Sequence, residues 1–452
     1  MITFRSLTRD VEIGANAYLL EFEGSRVLVD AGMHPKREGS EALPNLAGIE
    51  FGSIDAALLS HAHLDHSGAL PLVQREHPEM PVYTTGPTKA LAEALLHNSV
   101  NVMGAKREEL GLDEYPLFSH REVGRSVRNW HTPKTRRPFE LDGIGVDCTL
   151  FDAGHILGAA GAKFEYKGRN VFYTGDVHFE DQTIVRGADF PERDIDALVI
   201  ESTRGDSERD PEYTRWAEGE RMAAAIERCL DRGGSVMLPV FAMGKTQETL
   251  TLLYELQRAR LLRDTPFQIS GLSVKMTTIY DRFADRVRRN HRGFHLLRAR
   301  GFLSTPGKRG EIPELRQGHV YAMSSGMMTE RTMSNRMARR FISNPSNLLI
   351  AVGYADAASP LARILDSERG EEVDLDPRHE PVKRECEIER FDFSGHAPRE
   401  HLVDYVVRVA PEMVILVHGD APAIQRVQQE IATRAPDVTV KVAEPDCEIE
   451  VG

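Results

Sequence analysis

The stretch Ser60–Pro71, SHAHLDHSGALP, places three histidines and an aspartate between His61 and His66. A hydrophobic core rejects that density, because each buried polar ring left without a partner costs roughly 1–3 kcal/mol. A metal site requires it. Side chains alternate along an extended segment, so His61 and His63 point the same way and can grip one ion. Asp65 and His66 come after a turn and can face a neighbouring position. Four donors from one loop do not complete two catalytic metals. His155 in DAGHILGAAG, Asp176 in YTGD and His418 in LVHG, each following an apolar strand, are the candidates for the rest. Imidazole and carboxylate without thiolate is the donor pattern of catalytic zinc.

The flanking sequence repeats the pattern of apolar run followed by polar donor. NAYLLEF and RVLVDAG read as strands around a hairpin at Glu23 to Ser25, AALLSHAH as a third strand, and GRNVFYTGD and DALVIEST as two more. TKALAEALL supplies a helix between them. Open α/β and sandwich architectures place sites at such strand ends. From about Arg204 the rhythm lengthens. RWAEGERMAAAIERCLDRGG is an amphipathic helix with a glycine stop, GSVMLPVF a buried strand and KTQETLTLLYELQRARLL a second helix, with strands HVYAMSS and NLLIAVGY after them. This alternation predicts a second α/β unit with parallel strands. After about Glu385 the first pattern returns in FDFSGHA, REHLVDYVVRVA and MVILVHG. The expected organisation is one domain from residues 1–203 and 385–452, with 204–384 inserted.

A chain of 452 residues suits two domains of unequal size, and 41% apolar with 28% charged residues is a globular composition. Cys148, Cys229, Cys386 and Cys447 are scattered with no CxxC pair, so neither a thiolate zinc cage nor a disulfide framework is suggested. The N-terminus lacks an apolar signal core and no run approaches the roughly 20 apolar residues of a membrane span. A cytoplasmic protein without membrane contact is expected, and either a monomer or a homodimer is compatible with the sequence. The net charge of −13 argues against a polyanionic partner until its distribution is considered. Between Lys275 and Arg340 fifteen Lys and Arg stand against five acids, so this segment is +10 and the remainder −23. A basic region on an acidic body is compatible with phosphate binding. Gly244-Lys245-Thr246 invites a nucleotide-loop reading, but Pro239 stands where that loop needs glycine, so no nucleotide cofactor is expected. Lys245 reads instead as a helix-start cation near substrate or as surface charge. Ser324, Ser325 and Gly326 after a strand form either a phosphate pocket or a tight turn.

HAHLDH, with Asp30 in LVDAG, His155 and Asp176, resembles the HxHxDH pattern of the metallo-β-lactamase superfamily. The inserted segment and its flanks resemble the β-CASP nucleases, a group that includes pre-mRNA 3′-end endonucleases and DNA-repair nucleases. The resemblance covers essentially the whole chain. The family's motif A matches Glu201 in IESTRG, motif B His396 in FSGHA and motif C His418 in LVHG, and a histidine at motif C accompanies RNA substrates. The resemblance implies an αββα sandwich with an inserted α/β cap, and a cleft admitting single-stranded RNA. It also implies two zinc ions per chain, one on His61, His63 and His155, the other on Asp65, His66 and His418, with Asp176 bridging. Asp30 would fix a ligand histidine, and His396, oriented by Glu201, would protonate the leaving 3′-oxygen. Ser324, Ser325, Gly326, Arg204 and Lys245 would meet the substrate.

Two positions depart from the family pattern. Arg204 replaces a tyrosine of motif A, and Ser359-Pro360 replaces a Gly-Thr turn. The function the resemblance implies is zinc-dependent hydrolysis of RNA, endonucleolytic in the first instance. The alternatives are a 5′-to-3′ exoribonuclease, a DNA nuclease, a thioesterase or lactonase of the same superfamily, and a non-catalytic RNA-binding subunit. Manganese would also suit the ligand set.

Overall fold

A computed structural model describes residues 1–304 and 312–451, so Lys308, Arg309 and Glu311 of the basic segment lie outside the described residues. The chain forms two compact units. Met1–Glu180, Gly187–Arg209 and His396–Gly452 make the first, Asp181–Arg186 and Asp210–Gly395 the second. No helix among the described residues is long and apolar enough to cross a membrane.

The first unit contains two seven-stranded sheets. One runs in the order Glu448–Glu450, Ile2–Ser6, Tyr18–Phe22, Ser25–Val29, Ala56–Leu58, Val82–Tyr83, Trp130–His131. The other runs Thr439–Val442, Met413–Val417, Ala197–Glu201, Arg169–Tyr173, Ala160–Tyr166, Val146–Asp152, Phe139–Leu141. The expected hairpin forms with Glu23 and Gly24 at φ 43° and 101°, the left-handed pair that a two-residue connection needs, and Ser25 already pairs with Phe22. Both ends of the chain contribute strands to these sheets.

Strand alternation separates two faces. Ala197, Val199, Ile415 and Val417 join the core between the sheets, while Leu198, Ile200, Val414 and Leu416 face outward. There they pack with Leu402, Val403 and Val406 of helix Arg399–Val409 and with Ile424, Val427 and Ile431 of helix Ala421–Arg434. Between the sheets, Phe4, Tyr18 and Phe22 meet Leu150, Phe164 and Tyr173, with the Tyr18 and Tyr173 rings 5.9 Å apart. Each such side chain contributes about 1.5–3 kcal/mol by leaving water. The result is the expected αββα sandwich.

The second unit is built on a six-stranded sheet, every pair parallel, in the order Leu303–Ser304, Phe267–Ile269, Val320–Met323, Val236–Pro239, Leu348–Val352, Glu387–Phe391. Both faces are covered, as a parallel sheet requires. Val236, Leu238, Leu348 and Ile350 pack with helices Arg215–Asp231 and Lys245–Arg258, and Met237, Tyr321 and Leu349 pack with helix Met333–Phe341. Strand Glu387–Phe391 pairs with Leu348–Val352, so the chain stays in this unit until about residue 395 and not only to 384. The Ser359-Pro360 departure has a local explanation. Ser359 accepts the Ala362 N–H at 3.1 Å and caps helix Pro360–Asp366, with proline in the first turn where a missing N–H costs nothing.

Residues Asp181–Arg186 are tied to the rest of the second unit by several bonds, two of them to one carboxylate. Buried Glu248 accepts the N–H groups of Ile184 at 2.8 Å and Val185 at 3.0 Å. Replacement Glu248→Ala leaves both donors buried and unpaired, and the expected loss is about 2–4 kcal/mol from the unfolding free energy of this unit. Urea unfolding followed by circular dichroism measures it, and a loss below about 0.5 kcal/mol would show that the segment is held by something else.

Candidate metal centre

The donors singled out in the sequence converge at strand ends of the first unit. Strands Arg169–Tyr173, Ala197–Glu201 and Met413–Val417 are parallel neighbours, with Tyr173 opposite Val199 and Glu201 opposite Val417. Asp176, Glu201 and His418 therefore leave the same edge. From the facing sheet, Asp30 follows strand Ser25–Val29, and His61 and His63 follow Ala56–Leu58 just before the short helix Leu64–Ser67.

Two donor groups form. His61 Nε2 and His155 Nε2 each lie 3.1 Å from His63 Nδ1, and they lie 3.4 and 3.6 Å from Asp176 Oδ2. Ligands 2.0–2.1 Å from a tetrahedral ion are separated by about 3.3–3.4 Å, so these four atoms have the spacing of one coordination shell. In the second group, His66 Nε2 lies 3.8 Å from Asp65 Oδ2 and 3.3 Å from Asp176 Oδ1, and His418 Nε2 lies 3.4 Å from Asp65 Oδ2. Asp176 turns one oxygen to each group. Asp176 Oδ1 and His418 Nε2 are buried without a hydrogen-bond partner, although His418 Nδ1 comes within 3.1 Å of Asp176 Oδ1. Buried atoms left in this state are the ones a cation would satisfy, and the donor set fits a metal.

The electrostatics point the same way. Burial holds the His61 imidazole well below its ordinary value and lowers His63 to about 4, so both present neutral nitrogens. Burial also opposes charge on His66 and His418. There the carboxylates outweigh it, Asp176 first, raising His66 well above the ordinary range and His418 to about 10. The same histidines hold Asp65 and Asp176 below the usual carboxylate range against the opposing effect of burial.

Orientation comes from behind the donors. The Asp30 carboxylate, fully buried, accepts His66 Nδ1–H, Ser60 Oγ–H and Tyr173 O–H at 2.7 Å each and the Ser60 N–H at 2.7 Å. That bond leaves the ring's lone pair on His66 Nε2, which faces the donor groups and lies 3.2 Å from Asn16 Nδ2. Gly32 is required nearby because a Cβ there would lie 1.7 Å from the Asp65 carbonyl oxygen. Beside the metal donors, His396 Nδ1 meets the Glu201 carboxylate at 3.0 and 3.2 Å, and Glu201 also accepts the Val177 N–H at 2.6 Å. Asp65 and His396 are 21% and 22% exposed and His63 is half-buried, while His61, His66, His155, Asp176, Glu201 and His418 are almost fully buried, so the site opens on the side of the first three.

Three models of known families match. The metallo-beta-lactamase superfamily model covers residues 11–212, the Beta-Casp domain model 246–364, and the model of the Zn-dependent metallo-hydrolase RNA specificity domain 381–443. The chain belongs to the β-CASP group of the metallo-β-lactamase superfamily. Among similar proteins is the cleavage and polyadenylation specificity factor subunit 3 of Dictyostelium discoideum, 30% identical over 95% of this chain and 54% of the relative. Another is the endoribonuclease YSH1 of Saccharomyces cerevisiae, 28% identical over 95% of this chain and 56% of the relative. This chain thus spans about half the length of the curated relatives it matches. A solved structure from Enterococcus faecalis, of unknown function, shares the fold with a TM-score of 0.57 and 14% identity, covering 99% of this chain and 100% of that one.

In this β-CASP protein the substrate candidates do not gather in one unit. Arg204 lies in the first, in the turn after strand Ala197–Glu201, where its carbonyl accepts the Ser207 N–H at 3.3 Å. Lys245 opens helix Lys245–Arg258 in the second and donates to the Phe393 carbonyl. Ser324, Ser325 and Gly326 follow strand Val320–Met323, with Ser325 Oγ 3.0 Å from Thr329 Oγ1. Sequence reasoning passed over Asn16, Tyr18, Ser60, Tyr173 and Thr203. Asn16 Nδ2 sits 3.2 Å from His66 Nε2, Tyr18 O–H donates to Asn16 Oδ1 at 3.0 Å, and Thr203 Oγ1 lies 3.0 Å from His418 Nδ1. Ser60, Tyr173 and Thr203 have position as their sequence signal, each beside a strand end that carries a donor, whereas Asn16 and Tyr18 stand at the start of strand Tyr18–Phe22 and have none.

Replacement Asp30→Asn puts an amide where four donors need an acceptor. The expected outcome is a 10–100-fold weaker hold on zinc, measured by competition with a chromophoric chelator. Unchanged affinity would mean that His66 is oriented without Asp30.

Proposed function

We propose that this chain is a metal-dependent ribonuclease that hydrolyses phosphodiester bonds of single-stranded RNA endonucleolytically. The observation that carries the reading is the junction of two donor groups on the shared Asp176 carboxylate with the His396–Glu201 pair beside them. The yeast relative is named an endoribonuclease, which supports the same substrate class. Two zinc ions would be held, one by His61, His63, His155 and Asp176, the other by Asp65, His66, His418 and Asp176. Such ions lower the pKa of bound water to about 7 and offset charge on phosphoryl oxygens.

The chain's own residues do the rest. Asp30 holds the proton of His66 on Nδ1, keeping Nε2 available as a donor atom. Asp176 fixes the separation of the two groups through its two oxygens. Glu201, buried and anchored by the Val177 N–H, accepts from His396 Nδ1–H and orients the ring, and with both ring nitrogens protonated it is Nε2–H that would go to the leaving 3′-oxygen. Water adds to phosphorus as the P–O3′ bond breaks, leaving a 3′-hydroxyl and a 5′-phosphate. The exposed side at Asp65 and His396 gives a bulky chain access to an otherwise buried site.

The experiment is a denaturing gel of 5′-labelled single-stranded RNA and the matching DNA, with chelator and with added zinc. Fragments of intermediate length from RNA that vanish with chelator and with His66→Ala are expected. His396→Ala should retain bound zinc yet lower kcat by about 10²–10⁴-fold. Release of labelled mononucleotide alone would replace the endonuclease reading with a 5′ exonuclease, and equal cutting of DNA would widen the substrate class. Hydrolysis of a thioester or lactone with neither nucleic acid cut would overturn the reading.

A further inference from the structure

We propose that the segment Arg282–Arg300 of the second unit is an accessory binding surface for the sugar-phosphate backbone of single-stranded RNA. It uses no residue of the metal centre, and the identity of its ligand rests on the ribonuclease reading above. The stretch Asp281–Arg300, DRFADRVRRNHRGFHLLRAR, holds seven arginines against two aspartates. The sequence leaves open whether they scatter. The structure folds the segment back on itself into a compact knot.

Asp281 accepts the N–H groups of Leu296 at 2.9 Å and Leu297 at 3.0 Å, which brings Arg298 back to the end of helix Leu272–Arg282. The Gly293 N–H donates to the Ala284 carbonyl at 3.1 Å, which brings Arg292 to the turn that carries Arg286. Arg289 is the post of the knot. It is buried, and its guanidinium donates to the carbonyls of Tyr280, Asn290 and Phe294 at 3.2–3.4 Å. Arg282, Arg286, Arg292, Arg298 and Arg300 remain exposed, and among the described residues none has a carboxylate within 4.0 Å.

The neighbouring acids are mostly committed. Asp281 is bound to backbone N–H groups and Glu255 pairs with His291 at 2.7 Å, leaving Asp285 as the exposed acid of the segment. Like charges held together without counter-charges repel, and a polyanion relieves the repulsion. Planar guanidinium groups match phosphate oxygens. On a chain of net charge −13, a knot of this sign selects for a polyanion over a neutral ligand. The knot is also tied to the stretch that follows the metal site. Asn290 donates its N–H to Ile184 O at 2.8 Å and its amide to Gln182 O at 3.0 Å, and Gln182 is six residues along the chain from Asp176.

The test is the fluorescence anisotropy of a labelled single-stranded RNA bound to the full chain, with chelator present so that nothing is cut, across a KCl series. In the variant R282Q/R286Q/R292Q/R298Q/R300Q, RNA affinity at physiological salt should fall at least tenfold. The slope of log Kd against log salt should become shallower by about 0.7 for each phosphate that the variant no longer neutralises. The matching Arg→Lys variant should keep the slope, and the pair Arg292→Gln with Arg300→Gln should show part of the effect. Melting temperature and zinc content report that each variant is folded. Wild-type affinity and slope in the five-site variant would overturn the proposal. So would unchanged RNA affinity with abolished binding to polyglutamate, which would make the surface a protein-docking site. Binding is read without turnover, so a wild type that binds RNA through this knot but cuts none would refute the ribonuclease reading and leave this one.

Discussion

The Asp30 carboxylate is the point on which the first unit depends. Strand Ser25–Val29 delivers it from one sheet, Tyr173 reaches it from the other, and Ser60 and His66 reach it from the metal loop. A buried carboxylate tolerates its position only when its lone pairs are filled, and four donors fill them here. Burial and the carboxylate itself raise the Tyr173 hydroxyl well above its ordinary value, which keeps it a donor. One group therefore joins the two sheets and sets the proton position of His66, a candidate metal donor. Asp30 has φ 59°, an uncommon conformation for a residue with a side chain, and the four bonds hold it there.

Around that point the molecule concentrates charges that would be costly in isolation. Asp65, Asp176 and Glu201 lie among histidines on largely buried strand ends. Asp176 Oδ1 and His418 Nε2 lack hydrogen-bond partners, and His66 and His418 are drawn toward the protonated state by the same carboxylates. Protons and metal ions compete for the same positive role. Asp30, Ser60, Asn16 and Thr203 bond the donors from behind and fix their orientation.

The second unit solves a different problem. Its parallel sheet is buried on both faces, so its strands are largely apolar and its chemistry is confined to loops and helix ends. Glu248 and Arg289 show how those loops are held, each a buried charged side chain that satisfies backbone groups of an irregular segment. Arg289 is part of a basic run that looks uniform in sequence. Its burial separates it from neighbours that face solvent, and so divides one charge run into a structural residue and a binding surface.

The sequence by itself determined the ligand types, the strand ends that carry them and the class of fold. HAHLDH, Asp176 and His418 were legible because metal coordination needs particular side chains, and apolar runs with a period of two or a glycine stop mark the elements between them. The pairing of Glu201 with His396 was legible only through family resemblance. What tertiary structure alone decided is which atoms face each other across long chain separations. That Tyr173 and Ser60 share Asp30, that Asn16 touches His66, and that Glu387–Phe391 stays in the second sheet depend on sheet order. The physical reason is the same in each case. A donor's type and a strand's periodicity are local properties of the chain, whereas hydrogen-bond partners and counter-charges are set by packing between segments tens to hundreds of residues apart.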